Sequence, residues 1–142
     1  TILGEVFNPG TYTLPATNSA FNFLVAMGGP TNIGSVRNIY IKRDGVIKDS
    51  FDLYEYYNRT LHTRDVYLQN GDYIIVGPLA NTARIAGAVR KPGIYEIKNS
   101  DNLSQAIAMA GGTLKNAYLK DIVISRFRKL ITISILYNFP FY

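Results

Sequence analysis

The stretch "GEVFNPGTYTL", from Gly4 to Leu14, has a near copy in "GAVRKPGIYEI", from Gly87 to Ile97. The two stretches lie 83 positions apart, because 87 − 4 = 83. At that offset, without a gap, identical residues recur at Ile2, Gly4, Val6, Pro9, Gly10, Tyr12, Gly28, Gly29, Ile39, Ile41 and Arg43. A register kept this far indicates two copies of one structural module. We therefore predict a first module over residues 1–79 and a second over residues 80–142.

Each copy opens with a predicted β-hairpin. Apolar and polar residues alternate in "ILGEVFNPGTYTL", which is typical of a half-buried strand. Asn8, Pro9 and Gly10 interrupt the alternation. Proline fixes φ at the second position of a turn, and glycine accepts the positive φ of the third. Pro92 and Gly93 take the same positions in the second copy.

A short amphipathic helix follows in each copy, where the apolar spacing changes from two to about 3.6 residues. Its apolar face is predicted at Ala20, Phe23, Leu24 and Met27 in the first copy, and at Leu103, Ala106, Ile107 and Ala110 in the second. Asn18 or Ser19 is expected to cap the first helix, and Asp101 or Ser100 the second. The glycine pairs Gly28-Gly29 and Gly111-Gly112 are expected to end them.

Further strands follow each helix. The segment "VRNIYIKRDGVIKDSFDL" predicts a hairpin that turns at Asp44-Gly45, and "LKDIVISRFRKLITISIL" predicts one that turns at Phe127-Arg128. The first copy then continues with a predicted helical turn near Leu53–Tyr57, a strand at Asp65–Leu68, a turn at Asn70-Gly71 and a strand at Tyr73–Val76.

This element order predicts an α+β fold. A hairpin, one helix and further strands suit a mixed sheet that curls around a single helix, so we expect two tandem β-grasp (ubiquitin-like) modules. The second is expected to be truncated, because Tyr142 corresponds to Arg59 at the offset of 83. Three alternatives could supply its last strands: sequence beyond Tyr142, the tail from Ile131 to Tyr142, or another chain.

Composition narrows the function classes. Hydrophobic residues make up 47% of the 142 and charged residues 18%, which indicates a folded, soluble body. The absence of cysteine excludes disulfides, thiolate nucleophiles and zinc-thiolate sites. The net charge of +5 comes from scattered basic residues, which argues against nucleic acid as a partner. The longest apolar stretch, "LITISILYNFPFY", is too short to span a bilayer as a helix. Any secretion signal is expected to be removed or to lie outside this sequence.

Catalytic chemistry is not expected. His62 is the sole histidine, so the usual zinc sites and nucleophile–histidine pairs are excluded, and we expect it in a surface loop. The carboxylates fall mostly at turns and caps, and no spacing selects a facing pair. The glycine-rich "AMGGPTNIGS" follows a helix, whereas loops that hold phosphate precede one. We therefore predict a non-enzyme without a cofactor or metal.

Two groups of residues are candidates for sugar binding. Tyr54, Tyr56 and Tyr57 could stack on sugar rings, since the chain is rich in tyrosine, with 11 in all. Arg43 and Arg126, which match at the offset of 83, could hold an anionic glycan. Alternatively, the two arginines bracket a hairpin. Tyr12 and Tyr95 recur at matched strand positions, and this recurrence favours a core or interface role for them.

The repeated phrases resemble a known family. "GEVFNPGTYTL…AMGGP" and "GAVRKPGIYEI…AMAGG", with "LQNGDYIIVGP" closing the first, resemble the soluble-ligand-binding β-grasp (SLBB) repeats of bacterial polysaccharide export proteins, the Wza-like outer-membrane family. The resemblance extends from Ile2 to about Arg126. Its signature residues are Gly4, Pro9, Gly10, Tyr12, Gly28, Gly29, Gly87, Pro92, Gly93, Tyr95, Gly111 and Gly112.

The resemblance implies a periplasmic part of a ring-shaped oligomer that is associated with the outer membrane. Such a protein would let capsular polysaccharide or exopolysaccharide leave the cell, and would meet inner-membrane polysaccharide assembly machinery. Its expected role is assembly and weak polysaccharide contact. The alternative function is a small-ligand receptor of the same fold, which would hold a sugar or a cobalamin-like molecule in one enclosed pocket.

Overall fold

The structure is a computed structural model that describes residues 1–58, 64–127 and 130–137. The chain forms two compact units, Thr1–Leu79 (the first unit) and Ala80–Tyr142 (the second unit). Each unit contains a four-stranded sheet with both parallel and antiparallel neighbours. The few helices are short. The architecture is therefore α+β, as the sequence predicts.

The first unit packs a helix against its sheet. Its elements are β1 (Ile2–Gly4), α1 (Ala20–Ala26), β2 (Gly34–Arg43), β3 (Val46–Phe51), α2 (Leu53–Asn58) and β4 (Tyr73–Pro78). The sheet order is β1-β4-β2-β3, and β1 runs parallel to β4. Phe23 and Leu24 on the predicted face of α1 are buried against Ile39, Ile41 and Ile74 of the sheet.

The second unit repeats this arrangement with different strands. Its elements are β5 (Asn81–Gly87), β6 (Gly93–Ile97), α3 (Leu103–Met109), β7 (Ala117–Phe127) and β8 (Leu130–Tyr137). The sheet order is β6-β5-β8-β7. Ala106 of α3 lies in the same buried cluster as Ile85, Ile133 and Ile135 of the sheet. This core contains smaller helix side chains than the first, because Ala106 stands where the first unit has Phe23.

Strand β8 takes the place in the second sheet that β4 has in the first. Ile74 of β4 pairs with Ile2 of the parallel strand β1, and Ile133 of β8 pairs with Ile85 of the parallel strand β5. Each strand is also antiparallel to the long strand beside it. The tail therefore fills the gap in the shortened repeat, which is one of the three alternatives left open by the sequence. Residues 138–142 of that tail lie outside the described ranges.

Gly4 and Gly87 mark the point where the chain turns away from β1 and from β5. Their φ angles are +89° and +87°, a left-handed conformation that favours glycine. A Cβ atom at Gly4 would overlap the carbonyl oxygen of Val76, and one at Gly87 would overlap that of Ile135. The same backbone demand is therefore met twice, at positions 83 residues apart.

The predicted Pro-Gly turn is right for one repeat only. Gly10 has a positive φ of +154°, as predicted, but Gly93 does not have a positive φ. The physical reason is that Gly93 begins β6 and pairs with Ile85 of β5, so it belongs to a ladder. In the first unit the matching pair, Ile2 and Gly10, forms only an isolated bridge. The hairpin predicted to open each copy is therefore confirmed in the second, as β5 and β6, and is wrong in the first, where β1 has no partner strand after the turn.

The helix of the first unit begins and ends as predicted. The Ser19 hydroxyl accepts a hydrogen bond from the backbone N–H of Asn22 at 3.2 Å, so Ser19 is the N-cap. Gly28 and Gly29 follow the helix with φ of +89° and +76°. Such left-handed residues after the last turn are typical of helix ends.

The predicted caps of α3, Asp101 and Ser100, are wrong. The N-cap is Asn102, whose side chain accepts from the backbone N–H of Gln105 at 2.9 Å. The Gln105 side chain in turn accepts from the backbone N–H of Asn102 at 2.8 Å, which completes a capping box. Asp101 instead accepts from the backbone N–H of Lys98 at 2.7 Å. The predicted stop is confirmed, since Gly111 has φ of +79°.

Of the other predicted elements, one is wrong. Asp44 and Gly45 form the hairpin turn, with φ of +49° and +79°, and α2 confirms the predicted helical turn. The segment 65–68 is not a strand, because its only ladder contact is an isolated bridge from Tyr67 to Ser19. His62 and the turn residue Arg128 lie outside the described residues.

Candidate functional site

The signature tyrosines brace a loop in each unit. The Tyr12 hydroxyl donates to the Asn8 carbonyl at 3.2 Å, and the Tyr95 hydroxyl donates to the Lys91 carbonyl. These are matched positions, since 95 − 83 = 12 and 91 − 83 = 8. The Tyr12 ring also packs edge-on against Phe23, with the ring centroids 5.7 Å apart. Both tyrosines therefore serve the fold in the same way.

The glycine pairs hold that loop against the helix end. The backbone N–H of Phe7 donates to the Gly29 carbonyl at 3.2 Å, and the backbone N–H of Arg90 donates to the Gly112 carbonyl at 3.0 Å. The Asn8 side chain adds a bond to the Met27 carbonyl at 3.0 Å in the first unit. The shared signature is thus engaged in contacts within each unit.

The tyrosine cluster on α2 does not form one platform. The Arg37 guanidinium lies 5.5 Å from the centroid of the Tyr54 ring. Tyr56 stacks on Phe21 at 4.3 Å, and burial raises the pKa of its hydroxyl, with smaller contributions from nearby carboxylates. Tyr57 is 72% exposed. The three rings therefore meet different surroundings, and only Tyr57 is largely open to solvent.

Arg43 binds a carboxylate of its own unit. Its Nε donates to Asp72 Oδ1 at 2.6 Å, and one terminal nitrogen donates to Oδ2 at 2.9 Å. The backbone N–H of Gln69 also donates to Asp72, at 2.8 Å. The hydrogen bonds from Arg43 lower the pKa of Asp72 and raise that of Arg43, although burial opposes both shifts. This bidentate pair ties the end of β2 to the turn before β4.

Arg126 has no such partner among the described residues. It pairs across the β-ladder with Ile131, two residues before Ile133. Asp72 likewise lies two residues before Ile74, so Ile131 stands where the first unit has the carboxylate. Sequence reasoning missed this difference, because the offset of 83 places Ile131 opposite Lys48. Aligning β8 with β4 would have revealed it.

A cleft of about 670 Å³ lies in the first unit. It is lined by Thr1, residues 11–16, Asn18, Phe23 and residues 68–74. In the second unit the residues that match Tyr12–Leu14 are Tyr95–Ile97, and they pair with Asn81–Ala83 of β5. The cleft therefore lies where the second unit holds a strand, and its size does not by itself indicate a small-ligand pocket.

A smaller groove of about 140 Å³ lies in the second unit beside Arg126. Its lining is mostly apolar: Ile97, Asp101, Asn102, Leu103, Ala106, Ile124, Arg126, Ile131 and Ile133. Ile124 is 46% exposed, whereas the matching Ile41 is 1% exposed. This face of the second sheet is thus open to solvent where the first is covered.

Two further features are absent from the described residues. Within residues 1–58, 64–127 and 130–137, no three histidine or carboxylate side chains lie close enough together to hold a metal ion. Across the same part of the chain, every helix is too short to cross a bilayer.

Comparison with known proteins gives three findings. The model of the SLBB domain family matches residues 1–49 and 82–133. Two Escherichia coli proteins named polysialic acid transport protein KpsD are each 32% identical over 101 residues, 70% of this chain and 18% of KpsD. ComE operon protein 1 of Bacillus subtilis (strain 168) is 54% identical over 33 residues, 23% of this chain and 16% of that protein. The chain spans less than a fifth of the curated relatives it matches.

Proposed function

This chain belongs to the SLBB domain family, and from that premise we propose that it is a non-catalytic, periplasmic part of an export channel for capsular polysaccharide or exopolysaccharide, associated with the outer membrane. The family match confirms the resemblance seen in the repeated motif. Similarity to a protein named for polysialic acid transport supports polysaccharide as the cargo. The channel would be a homo-oligomeric ring in contact with inner-membrane assembly machinery.

We infer that the two units are β-grasp modules. In support, each unit packs a short helix against a mixed sheet in which the first strand is parallel to the last. The family match covers part of each proposed module, 1–79 and 80–142. The second module would be an incomplete repeat whose sheet is finished by β8.

One observation carries the functional proposal. In both units the signature residues make matched bonds within their own unit, between the Tyr12 or Tyr95 loop and the glycines that end the helix. Residues engaged in this way have a role in the fold. The remaining means of action are outer surfaces, which suit assembly and weak, replaceable contact with a moving polymer.

Deletion tests the export role. Removing residues 1–142 in frame from the gene in its host should abolish polysaccharide on the cell surface and cause polymer to accumulate inside the envelope. The measurement is immunoblotting of surface and periplasmic fractions for the polymer. A variant with Arg84→Gln, an exposed position on β5, is the matched control for expression. Normal surface polysaccharide after the deletion would refute the role.

The conduit role also predicts weak binding. Isothermal titration with short capsular oligosaccharides should give no dissociation constant below about 0.1 mM, which corresponds to roughly −5.5 kcal/mol. Tight binding would slow release and stall transport. A nanomolar constant would contradict the conduit.

A small-ligand receptor is the second candidate function, and the cleft of about 670 Å³ is the observation in its favour. The cleft is lined by Tyr12, Phe23 and Tyr73, and not by Tyr54 or Tyr57. Titration with free sugars and with cobalamin separates the two functions, since the receptor requires one saturable, tight ligand and the conduit requires none.

A further inference from the structure

The two matched arginines differ in what they bind. Arg43 holds Asp72 through two hydrogen bonds, at 2.6 and 2.9 Å. Arg126 pairs with Ile131 at the corresponding place, is exposed, and its side chain forms no ion pair or hydrogen bond within the described residues. The first unit therefore shows, within one chain, how an arginine at this strand position binds a carboxylate.

The groove beside Arg126 is open because nothing in the described second unit corresponds to α2. In the first unit Leu53 belongs to the buried core together with Ile41, and Tyr56 and Leu68 pack against that core. In the second unit Ile124 is left 46% exposed. An exposed arginine beside an apolar surface favours a ligand that brings both a negative charge and an apolar C–H face.

We propose that the groove of the second unit binds an acidic sugar residue, whose carboxylate pairs with the Arg126 guanidinium as the Asp72 carboxylate pairs with that of Arg43. The planar guanidinium pairs with a carboxylate through two parallel, charge-assisted hydrogen bonds, and an uncharged sugar lacks the negative charge that strengthens them. The volume of about 140 Å³ suits one sugar ring, whose C–H face would lie against Ile124 and Ile131.

Asp101 adds a carboxylate to the lining of the groove. This carboxylate accepts from the backbone N–H of Lys98 at 2.7 Å. A second anionic group on the ligand would be repelled, whereas a sugar hydroxyl could donate to the same oxygens. A uronic acid, with one carboxylate and several hydroxyls, fits these demands.

This inference rests on the proposed polysaccharide role and names the class of polymer. The test uses the full ¹⁵N-labelled chain, titrated with D-glucuronate and, as the matched neutral probe, D-glucose. Glucuronate should shift the amide signals of Ile124, Arg126 and Ile131 with a dissociation constant in the millimolar range, weaker in high salt. Glucose should shift none of them. Equal shifts from both sugars, or none from glucuronate up to about 50 mM, overturn the proposal.

Variants test whether glucuronate binding depends on the Arg126 side chain or only on the apolar lining of the groove. Arg126→Gln should weaken glucuronate binding at least tenfold. Arg126→Lys should keep part of the binding, because lysine retains the positive charge but lacks the planar pair of N–H donors of the guanidinium. Arg84→Gln on β5 should bind like the parent. Amide spectra of each variant confirm that it is folded. Unchanged binding by folded Arg126→Gln overturns the site. The deletion experiment reports on export independently, so failure of the site and failure of the export role are distinguishable.

Discussion

Gly4 and Gly87 show how one residue type fixes the course of the chain. At both positions a left-handed φ coincides with close approach to a neighbouring carbonyl oxygen. The sequence alone suggested that these glycines matter, because they recur at the offset of 83. It did not show why, since the partner strands β4 and β8 are distant in sequence and unlike each other.

Gly4→Ala should therefore destabilise the first unit more than Gly29→Ala. Gly29 has φ of +76° but no atom within 4 Å of a Cβ, so alanine there adds only the left-handed cost of about 1–2 kcal/mol. Alanine at Gly4 adds steric overlap with Val76, worth a further 1–3 kcal/mol or so. Urea unfolding monitored by circular dichroism gives both values. Equal losses of unfolding free energy in the two variants would mean that the close approach of Gly4 to Val76 contributes nothing to stability.

Asp72 makes stability depend on pH. Arg43 holds the pKa of Asp72 below its usual 3.8, so the folded chain resists protonation of this group. The stabilisation is present near neutral pH and is lost as pH falls through the lowered pKa. Asp72→Asn should cost about 1–3 kcal/mol at pH 7, and the gap from the parent should shrink toward pH 2.

Urea unfolding of Asp72→Asn and of the parent, at pH 7 and at pH 2, measures this difference in stability. Asp49→Asn is the control, because Asp49 pairs with Arg64, whose side chain is 80% exposed, and such pairs contribute little. A gap between Asp72→Asn and the parent that stays constant with pH would rule out the ionised pair as its source.

Elements with local signals were predictable. The hairpin at Asp44-Gly45 and the apolar faces of both helices need only short-range sequence patterns, and the structure confirms them. The segment 65–68 alternates like a strand but lacks neighbours for a ladder, so the prediction there was wrong. The groove beside Arg126 could not be predicted, because it depends on which strand pairs with β7.

The cap of α3 illustrates the limit at this scale. Ser100, Asp101 and Asn102 can all cap a helix, and the choice falls on Asn102 because Asp101 bonds to Lys98. Asn102→Ala should cost about 1 kcal/mol, whereas Ser100→Ala should change stability by less than about 0.5 kcal/mol. Thermal unfolding of each variant measures this. A larger loss from Ser100→Ala would contradict the assigned capping box.

At the scale of the whole molecule, the two units differ in the apolar side chains that they bury. The helix of the first unit contributes Phe23 and Leu24 to its core, and that of the second contributes Ala106 and Met109. Ile41 is covered and Ile124 is not. Because buried apolar area is the main source of stability, the second unit should be the weaker one.

Hydrogen exchange monitored by mass spectrometry should therefore show β7 and β8 exchanging before β2 and β4, as urea is added. The two helices offer an internal comparison, since α1 and α3 are equally long. Simultaneous exchange in both units would show that they unfold as one body. Earlier exchange in the first unit would reverse the proposed ranking.

The second unit has β8 in the place where the first has β4, and this difference has a consequence for engineering. Tyr73–Pro78 and Leu130–Tyr137 share little beyond isoleucine or valine at the two inward sites that face β1 or β5. Backbone complementarity and two aliphatic anchors thus suffice to seat the central strand. A synthetic peptide of that pattern should serve as a detachable part, allowing the fold to be split, reassembled or tagged at this position.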